Sequence, residues 1–299
     1  MIRFNYNNLN SSNFNYLNNI KDSLIDPLGR KVSEEIKWLN LGGKWGTSKF
    51  PVVISGEGDP VLFLHGFDSC FLEFRRIYPL LRKNFKLFIP DLLGFGFSPR
   101  DSSYEYTPDN IILNLIDLIK ELNLKKDLKI VGASMGGSVA LKLTNEINNY
   151  IEKIILLSPA GLFAQPKRIP RPFNQIGAAF LGSSAVRKNL CRQSFAFPNK
   201  RVGPAEEQIA SIHLGCKGWR NSLASFAKSG GFGGTKKYIQ NIPTKTLCGD
   251  KDRILGSNEL DELKKIRQLN AFTLKNCGHL PHLDLPELTG KIILDFFNK

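Results

Sequence analysis

The run Gly132-Ala133-Ser134-Met135-Gly136 sets a serine between glycines where an apolar stretch, Leu128 to Val131, turns into an amphipathic one, Val139 to Leu143. A serine at the sharp junction of strand and helix stands on a strained backbone. It needs small neighbours because strand and helix run close together there, and Gly132 and Gly136 supply them. The helix N-terminus behind Ser134 favours negative charge developing at the site. No Gly-Lys-Ser or Gly-Lys-Thr follows, so the pattern reads as a nucleophile turn rather than a phosphate loop. A serine hydroxyl becomes a nucleophile only when a base takes its proton, so the chain must supply an oriented histidine.

The four histidines are His65, His213, His279 and His282. His279 follows the apolar run Ala271 to Leu274 and precedes the last amphipathic stretch. That puts it in a loop at the carboxyl edge of a sheet, the edge on which Ser134 stands. His282 reads as a structural residue at a helix entry, and His213 as a core or surface residue of another segment. The base needs a carboxylate to fix its tautomer and stabilise the imidazolium. The run Thr244 to Cys248 ends in Gly249-Asp250-Lys251-Asp252, and Asp252, a turn beyond the strand, can reach the next loop while Asp250 ties its own turn. After Ile154 to Ser158 the chain reads Pro159-Ala160-Gly161 and offers no acid. An oxyanion needs two N–H donors, and the geometry of such turns assigns Met135 N–H as one. The loop His65-Gly66-Phe67-Asp68-Ser69 offers Phe67 N–H as the other, with Gly66 letting the backbone approach. His65 is expected to fix that loop by hydrogen bonds. Asp68 and Ser69 stand at the same mouth, as substrate contacts or as solvated loop residues.

Elements that could hold these residues on one edge are legible from about residue 50 onward. Short β-rich runs (Pro51 to Ile54, Val61 to His65, Lys86 to Asp91, Leu128 to Val131, Ile154 to Ser158, Thr244 to Cys248, Ala271 to Leu274) alternate with helix-length amphipathic stretches. Helices are expected at Phe71 to Leu81, Pro108 to Asn123, Met135 to Glu146, Asn258 to Arg267 and Leu285 to Phe297. Thr107-Pro108 forms the start of the second. The alternation predicts an α/β fold: a mostly parallel central sheet of about eight strands, helices on both faces, and an antiparallel edge hairpin from Ile36 to Asn40. One connection, from Ser158 to Thr244, is too long for an ordinary crossover and reads as an inserted helical lid. The expected division is therefore a polar N-terminal extension over 1–34, a core over 35–160 and 241–299, and a basic lid over 161–240. The glycine cluster Gly230-Gly231-Phe232-Gly233-Gly234 lacks the strand-before, helix-after setting of a nucleotide loop and reads as a flexible lid segment.

Leu64-His65-Gly66-Phe67, Asp91-Leu92-Leu93-Gly94-Phe95-Gly96-Phe97-Ser98, Gly132-Ala133-Ser134-Met135-Gly136-Gly137, Gly249-Asp250-Lys251-Asp252 and Gly278-His279 together resemble the α/β-hydrolase superfamily, in its order of Ser, then Asp, then His. The resemblance covers residues 50–160 and 241–299 and lies with the lid-bearing esterases, C–C hydrolases and acyltransferases. Dehalogenases and most epoxide hydrolases place an aspartate where this chain has Ser134. It implies a Ser134-His279-Asp252 triad that needs no metal and no organic cofactor. It also implies a structural turn at Asp91, Gly94, Gly96 and Ser98 near the site floor.

Charge bears on the substrate. The chain carries a formal net charge of +14, and residues 161–240 alone hold +11, with Glu206 and Glu207 their only acidic residues. A basic, aromatic-rich lid over an esterase-like site suggests a small-molecule or lipid ester, anionic or delivered from an anionic membrane surface, the alternative being a solvated basic face over an ordinary aromatic lid core. No nucleic-acid recognition motif accompanies the charge, so no nucleic-acid partner is expected. The apolar runs fall far short of the roughly 20 residues that cross a bilayer. Five cysteines without a close pair exclude a disulfide framework and a zinc-type spacing. With eight asparagines between residues 5 and 19 and no apolar leader, the expected compartment is the cytoplasm. Acyl transfer or C–C cleavage on the same residues, and a ligand-binding or membrane-surface protein without turnover, are the alternatives.

Overall fold

A computed structural model describes residues 13–299, beginning with helices α1 (Asn13–Ile20) and α2 (Pro27–Glu34). Strands β1 (Ile36–Asn40), β2 (Lys49–Ser55) and β3 (Asp59–Leu64) follow, then α3 (Tyr78–Leu81), β4 (Phe85–Pro90), α4 (Pro108–Glu121), β5 (Leu128–Ala133), α5 (Met135–Ile147) and β6 (Ile151–Leu157). Helices α6 (Phe173–Leu181), α7 (Ser184–Gln193), α8 (Pro198–Arg201), α9 (Pro204–Ser211) and α10 (Trp219–Ser229) then succeed one another without a strand. The chain closes with β7 (Thr244–Gly249), α11 (Ser257–Lys265), β8 (Ala271–Leu274), α12 (Pro281–Asp284) and α13 (Pro286–Phe297).

The eight strands form one sheet in the order β1-β2-β4-β3-β5-β6-β7-β8. β2 pairs antiparallel with both neighbours and all other pairs are parallel. Every residue of β5 is buried, as a central parallel strand covered on both faces requires. Alternate side chains feed two apolar clusters. Leu62, Leu64 and Ile130 point to one face, and Val61, Phe63 and Val131 to the other. α4 starts where the sequence says it should. Thr107 caps it by accepting from Asn110 N–H, Pro108 opens it, and Ile111, Leu115 and Leu118 are buried along one stripe.

Two expectations change. Phe71 to Leu81 is not one helix but a tight turn over 71–74 and the four-residue α3, because Pro79 has no N–H to donate and its ring excludes a helix continuing from the preceding turn. The N-terminal segment, from residue 13 on, is built into the fold rather than extending from it. Leu17, Leu24 and Val32 are buried in the second cluster, Asn13 Nδ2 donates to Ser98 O at 2.8 Å, and Tyr16 Oη donates to Ile212 O at 2.9 Å. Asn5, Asn7, Asn8 and Asn10 of the polar run lie outside the described residues. Among the described residues no helix is long and apolar enough to cross a membrane.

Candidate active site

Ser134 sits between β5 and α5 with φ 51°, in the left-handed region that costs a non-glycine residue about 1–3 kcal/mol. Three backbone hydrogen bonds hold it there. Its N–H donates to Leu157 O at 2.9 Å, and its carbonyl accepts from Gly137 N–H at 2.9 Å and Ala160 N–H at 3.0 Å. The flanking glycines are sterically required. A Cβ on Gly132 would lie 2.5 Å from the Gly136 carbonyl oxygen, and one on Gly136 would overlap the Leu64 carbonyl of the neighbouring strand.

The loop after β8 brings His279 to this turn, with Nε2 2.8 Å from Ser134 Oγ. Its Nδ1 lies 2.8 Å from Asp252 Oδ2, and both side chains are almost fully out of solvent. The backbone of His279 is pinned by its own N–H donating to Ser194 O at 2.9 Å. Asp252 Oδ1 accepts from Ile254 N–H and Leu255 N–H at 2.8 and 3.0 Å, which fixes the carboxylate plane and leaves Oδ2 for the histidine. Burial pushes the Asp252 pKa up, but the hydrogen bond and charge of His279, with the two N–H groups, hold it below the usual carboxylate range. The two aspartates have in one respect exchanged the tasks read from the sequence. Asp252 ties its own turn as well as facing His279, whereas Asp250 Oδ1 crosses to accept from Cys277 N–H at 3.2 Å and so steadies the histidine loop.

The loop after β3 forms the opposite wall. His65 fixes it as expected of it: Nε2 accepts from Leu92 N–H at 3.0 Å and Nδ1 donates to Gly66 O at 2.8 Å. Gly66 lies close under Ser134, and a Cβ there would be 3.4 Å from that of the serine. Among the described residues no hydrogen bond is made by Phe67 N–H or Met135 N–H, the two groups expected to face an oxyanion. Glu73, which no spacing in the sequence singled out, accepts from Gly66 N–H at 3.1 and 3.3 Å and lies 3.4 Å from His282 Nε2. Burial raises the Glu73 pKa, but His282 and His65 outweigh it and the carboxyl stays ionised below its ordinary range. The turn at Asp91 is a second brace: its two oxygens accept from Phe71 N–H and Phe97 N–H at 2.6 Å each.

Asp68 is neither solvated nor free for a ligand. Its carboxylate takes Arg187 Nη1 at 2.7 Å, Trp219 Nε1 at 2.8 Å and His213 Nε2 at 3.0 Å, three side chains of the helical insertion. Burial opposes its ionisation, yet His213, Arg187 and Trp219 together hold the carboxyl well below its ordinary pKa. Burial likewise keeps the His213 imidazole below its ordinary value against the pull of Asp68. Ser69 is half-buried on the same wall.

A cavity of about 260 Å³ opens on Ser134 and His279 and is walled mainly by apolar groups of the insertion and of the His279 loop, among them Leu190, Phe195, Ile209 and Leu280. Among the described residues two cations line it, and both are matched. Arg187 is held by Asp68, and Arg75 by Asp26 at 2.5 Å and Glu206 at 3.3 Å. A hydroxyl aimed at an imidazole that is itself held by a carboxylate can attack an electrophilic carbon, with two backbone N–H groups at hand for the charge that develops.

The sequence model of the alpha/beta hydrolase family matches residues 61–290. The chain is 29% identical to the alpha/beta hydrolase domain-containing protein VTE7 of Arabidopsis thaliana, over 94% of this chain and 88% of that protein. It is 25% identical to Lipase 1 of Psychrobacter immobilis, over 91% of this chain and 87% of that protein. Among solved structures, the meta-cleavage product hydrolase CumD of Pseudomonas fluorescens IP01 superposes with a TM-score of 0.73 at 20% identity, over 89% of this chain and 98% of that one, a likeness of fold.

Proposed function

The chain belongs to the alpha/beta hydrolase family, and from that premise we propose that it hydrolyses a carboxylic ester through an acyl-Ser134 intermediate. The observation that carries this reading is the row Asp252 Oδ2, His279 Nδ1, His279 Nε2, Ser134 Oγ, joined by two contacts of 2.8 Å. Ser134 Oγ attacks the ester carbonyl carbon while His279 Nε2 takes its proton, and Asp252 stabilises the resulting imidazolium. Phe67 N–H and Met135 N–H hold the oxyanion. When the tetrahedral adduct collapses, the alcohol leaves with the proton from His279. Water then gives its proton to His279, attacks the acyl carbon, and releases the acid and the free serine. None of these steps calls for a metal or an organic cofactor.

The lining of the cavity favours a neutral, largely apolar ester over an anionic one. Arg187 and Arg75 are already ion-paired, and Glu73 and Glu206 add negative charge to the wall. A substrate carboxylate buried there would have no free cation to meet it among the described residues. Ser69 is the substrate contact we retain from the loop after β3. The likeness to Lipase 1 agrees with an ester substrate. Five buried cysteines, none paired, support a reducing compartment such as the cytoplasm.

The test is hydrolysis of p-nitrophenyl esters from short to long acyl chains by the wild type and Ser134→Ala. We expect the variant to lose about 10⁴-fold or more in kcat while keeping its fold. Variant activity near that of the wild type would overturn the mechanism. Inclusion of alcohol acceptors, and of a dienoic ketone as an alternative substrate, separates hydrolysis from acyl transfer and C–C cleavage by the products formed.

A further inference from the structure

Helix α6 turns its inner face to α10, where Asn174 Nδ2 donates to Ala224 O at 3.0 Å and Ala178 is buried. Its outer face carries Phe173, Ile176 and Phe180, which are 64%, 59% and 64% exposed. Ile169, at 39%, is exposed on the irregular segment that leads into the helix. Large apolar side chains grouped on one outward face mark an interaction surface rather than scattered exposure.

The rim of this face is cationic. Lys167, Arg168 and Arg171 are exposed on the segment leading into α6. Arg220 reaches across from α10 to donate to Gln175 O at 3.3 Å. Lys228 is exposed beside Ala227, whose carbonyl accepts from Ile169 N–H at 3.0 Å. The insertion cannot neutralise them itself, because Glu206 is taken by Arg75 and Arg76 and Glu207 by Lys188. Two copies meeting through this face would set these cations against their own kind, which argues against self-association. Beneath the face lies a second cavity, about 240 Å³, lined by Ile169, Phe173, Leu181, Phe226 and Phe67. Phe67 also lines the cavity that holds Ser134.

We propose that this face docks the protein on an anionic lipid bilayer, with Phe173, Ile176 and Phe180 entering the boundary between headgroups and acyl chains and Lys167, Arg168, Arg171, Arg220 and Lys228 lying against lipid phosphates. Docking does not depend on the chemistry at Ser134. The delivery of an ester from the bilayer past Phe67 rests on the ester-hydrolase reading above.

The full chain is tested by co-sedimentation with phosphatidylcholine vesicles and with vesicles of phosphatidylcholine mixed with phosphatidylglycerol. Wild type is expected to bind the mixed vesicles and not phosphatidylcholine alone, and to release at high salt. The triple variant Lys167→Glu/Arg168→Glu/Arg171→Glu is expected to bind about 100-fold more weakly or less. Phe173→Ser/Ile176→Ser/Phe180→Ser is expected to lose binding by at least tenfold, and Lys125→Glu/Lys126→Glu, at the amino edge of the sheet, to bind as wild type. Equal binding to both vesicle types, unchanged binding by either α6 variant, or wild-type self-association in sedimentation velocity without vesicle binding would overturn the proposal. Hydrolysis of a soluble ester is measured on the same samples. Lost docking in a wild type that still hydrolyses ester counts against the surface alone, and docking without hydrolysis counts against the ester reading alone.

Discussion

The Asp68 carboxylate lies 2.7 Å from the Arg187 guanidinium, an ion pair between the loop after β3 and helix α7 of the insertion. Both side chains are almost completely buried, and Trp219 and His213 complete the shell around the acid. Because Phe67 immediately precedes Asp68, whatever fixes Asp68 also fixes the N–H assigned to the oxyanion. The insertion therefore does more than cover the cavity: its position and that of the loop beside Ser134 are set by one polar cluster.

Asp68→Asn leaves the Arg187 charge buried without a counter-ion. A loss of about 3–5 kcal/mol of stability is expected in chemical denaturation, together with a fall in ester turnover. The folded pKa of Asp68 lies below its unfolded value, so its contribution is complete above about pH 4 and disappears as the pH falls through the folded value. The stability gap between wild type and Asp68→Asn should widen modestly between about pH 8 and 5, where Asp68 supports His213, and narrow below about pH 4. A gap that failed to narrow below about pH 4 would mean that the ionised carboxylate is not what holds the cluster together.

Asp252→Asn preserves an oxygen for Ile254 N–H and Leu255 N–H but presents an NH₂ to His279 Nδ1. The imidazole then carries its proton on Nε2 and cannot accept from Ser134. We expect kcat to fall about 10³- to 10⁴-fold with KM little changed and the thermal midpoint near that of the wild type. A kcat within about threefold of the wild type would assign the orienting role elsewhere.

Gly132→Ala tests the turn itself. The added methyl would stand 2.5 Å from the Gly136 carbonyl oxygen, which belongs to backbone and cannot swing away. Expected are destabilisation by more than about 2 kcal/mol and loss of activity, read from denaturation and from ester hydrolysis. Wild-type stability would show that strand and helix have room to part.

Phe67→Ala keeps the backbone N–H and removes the ring that lines both the cavity at Ser134 and the apolar one beneath α6. The ring packs on Phe95 and Phe226 with centroids 5.9 and 6.1 Å apart, so its loss joins the two spaces. The ratio of kcat/KM for a long-chain ester over acetate should rise. An unchanged ratio would mean that the acyl chain takes another direction.

How far these features were legible depends on how local their causes are. The strands and the start of α4 were readable because periodicity, Thr107 and Pro108 act within a few residues. Ser134, His279 and Asp252 were readable because a strand's carboxyl end is a known place even when its neighbours are distant in sequence. Pro79, which breaks the expected helix over Phe71 to Leu81, was a local cue that the apolar spacing outweighed. Asp68 could not be placed. An aspartate in a loop is the same letter whether it meets water or an arginine 119 residues on. Glu73 and the docked Leu17, Leu24 and Val32 were hidden for the same reason, their partners being chosen by tertiary packing.

Helices α1 and α2 are the first parts of the described chain to be synthesised, yet Tyr16 bonds to Ile212, Ile25 to Gln208, and Asp26 to an arginine shared with Glu206. Their seat does not exist until the ribosome has passed those residues. Synthesis proceeds at about 5–20 residues per second, so the two helices must wait several seconds or longer. His279 comes later still, 145 residues after Ser134. A stalled or prematurely ended chain therefore carries its serine turn without the base opposite it. The contact between Ser134 and His279 forms only once both ends of that long stretch exist.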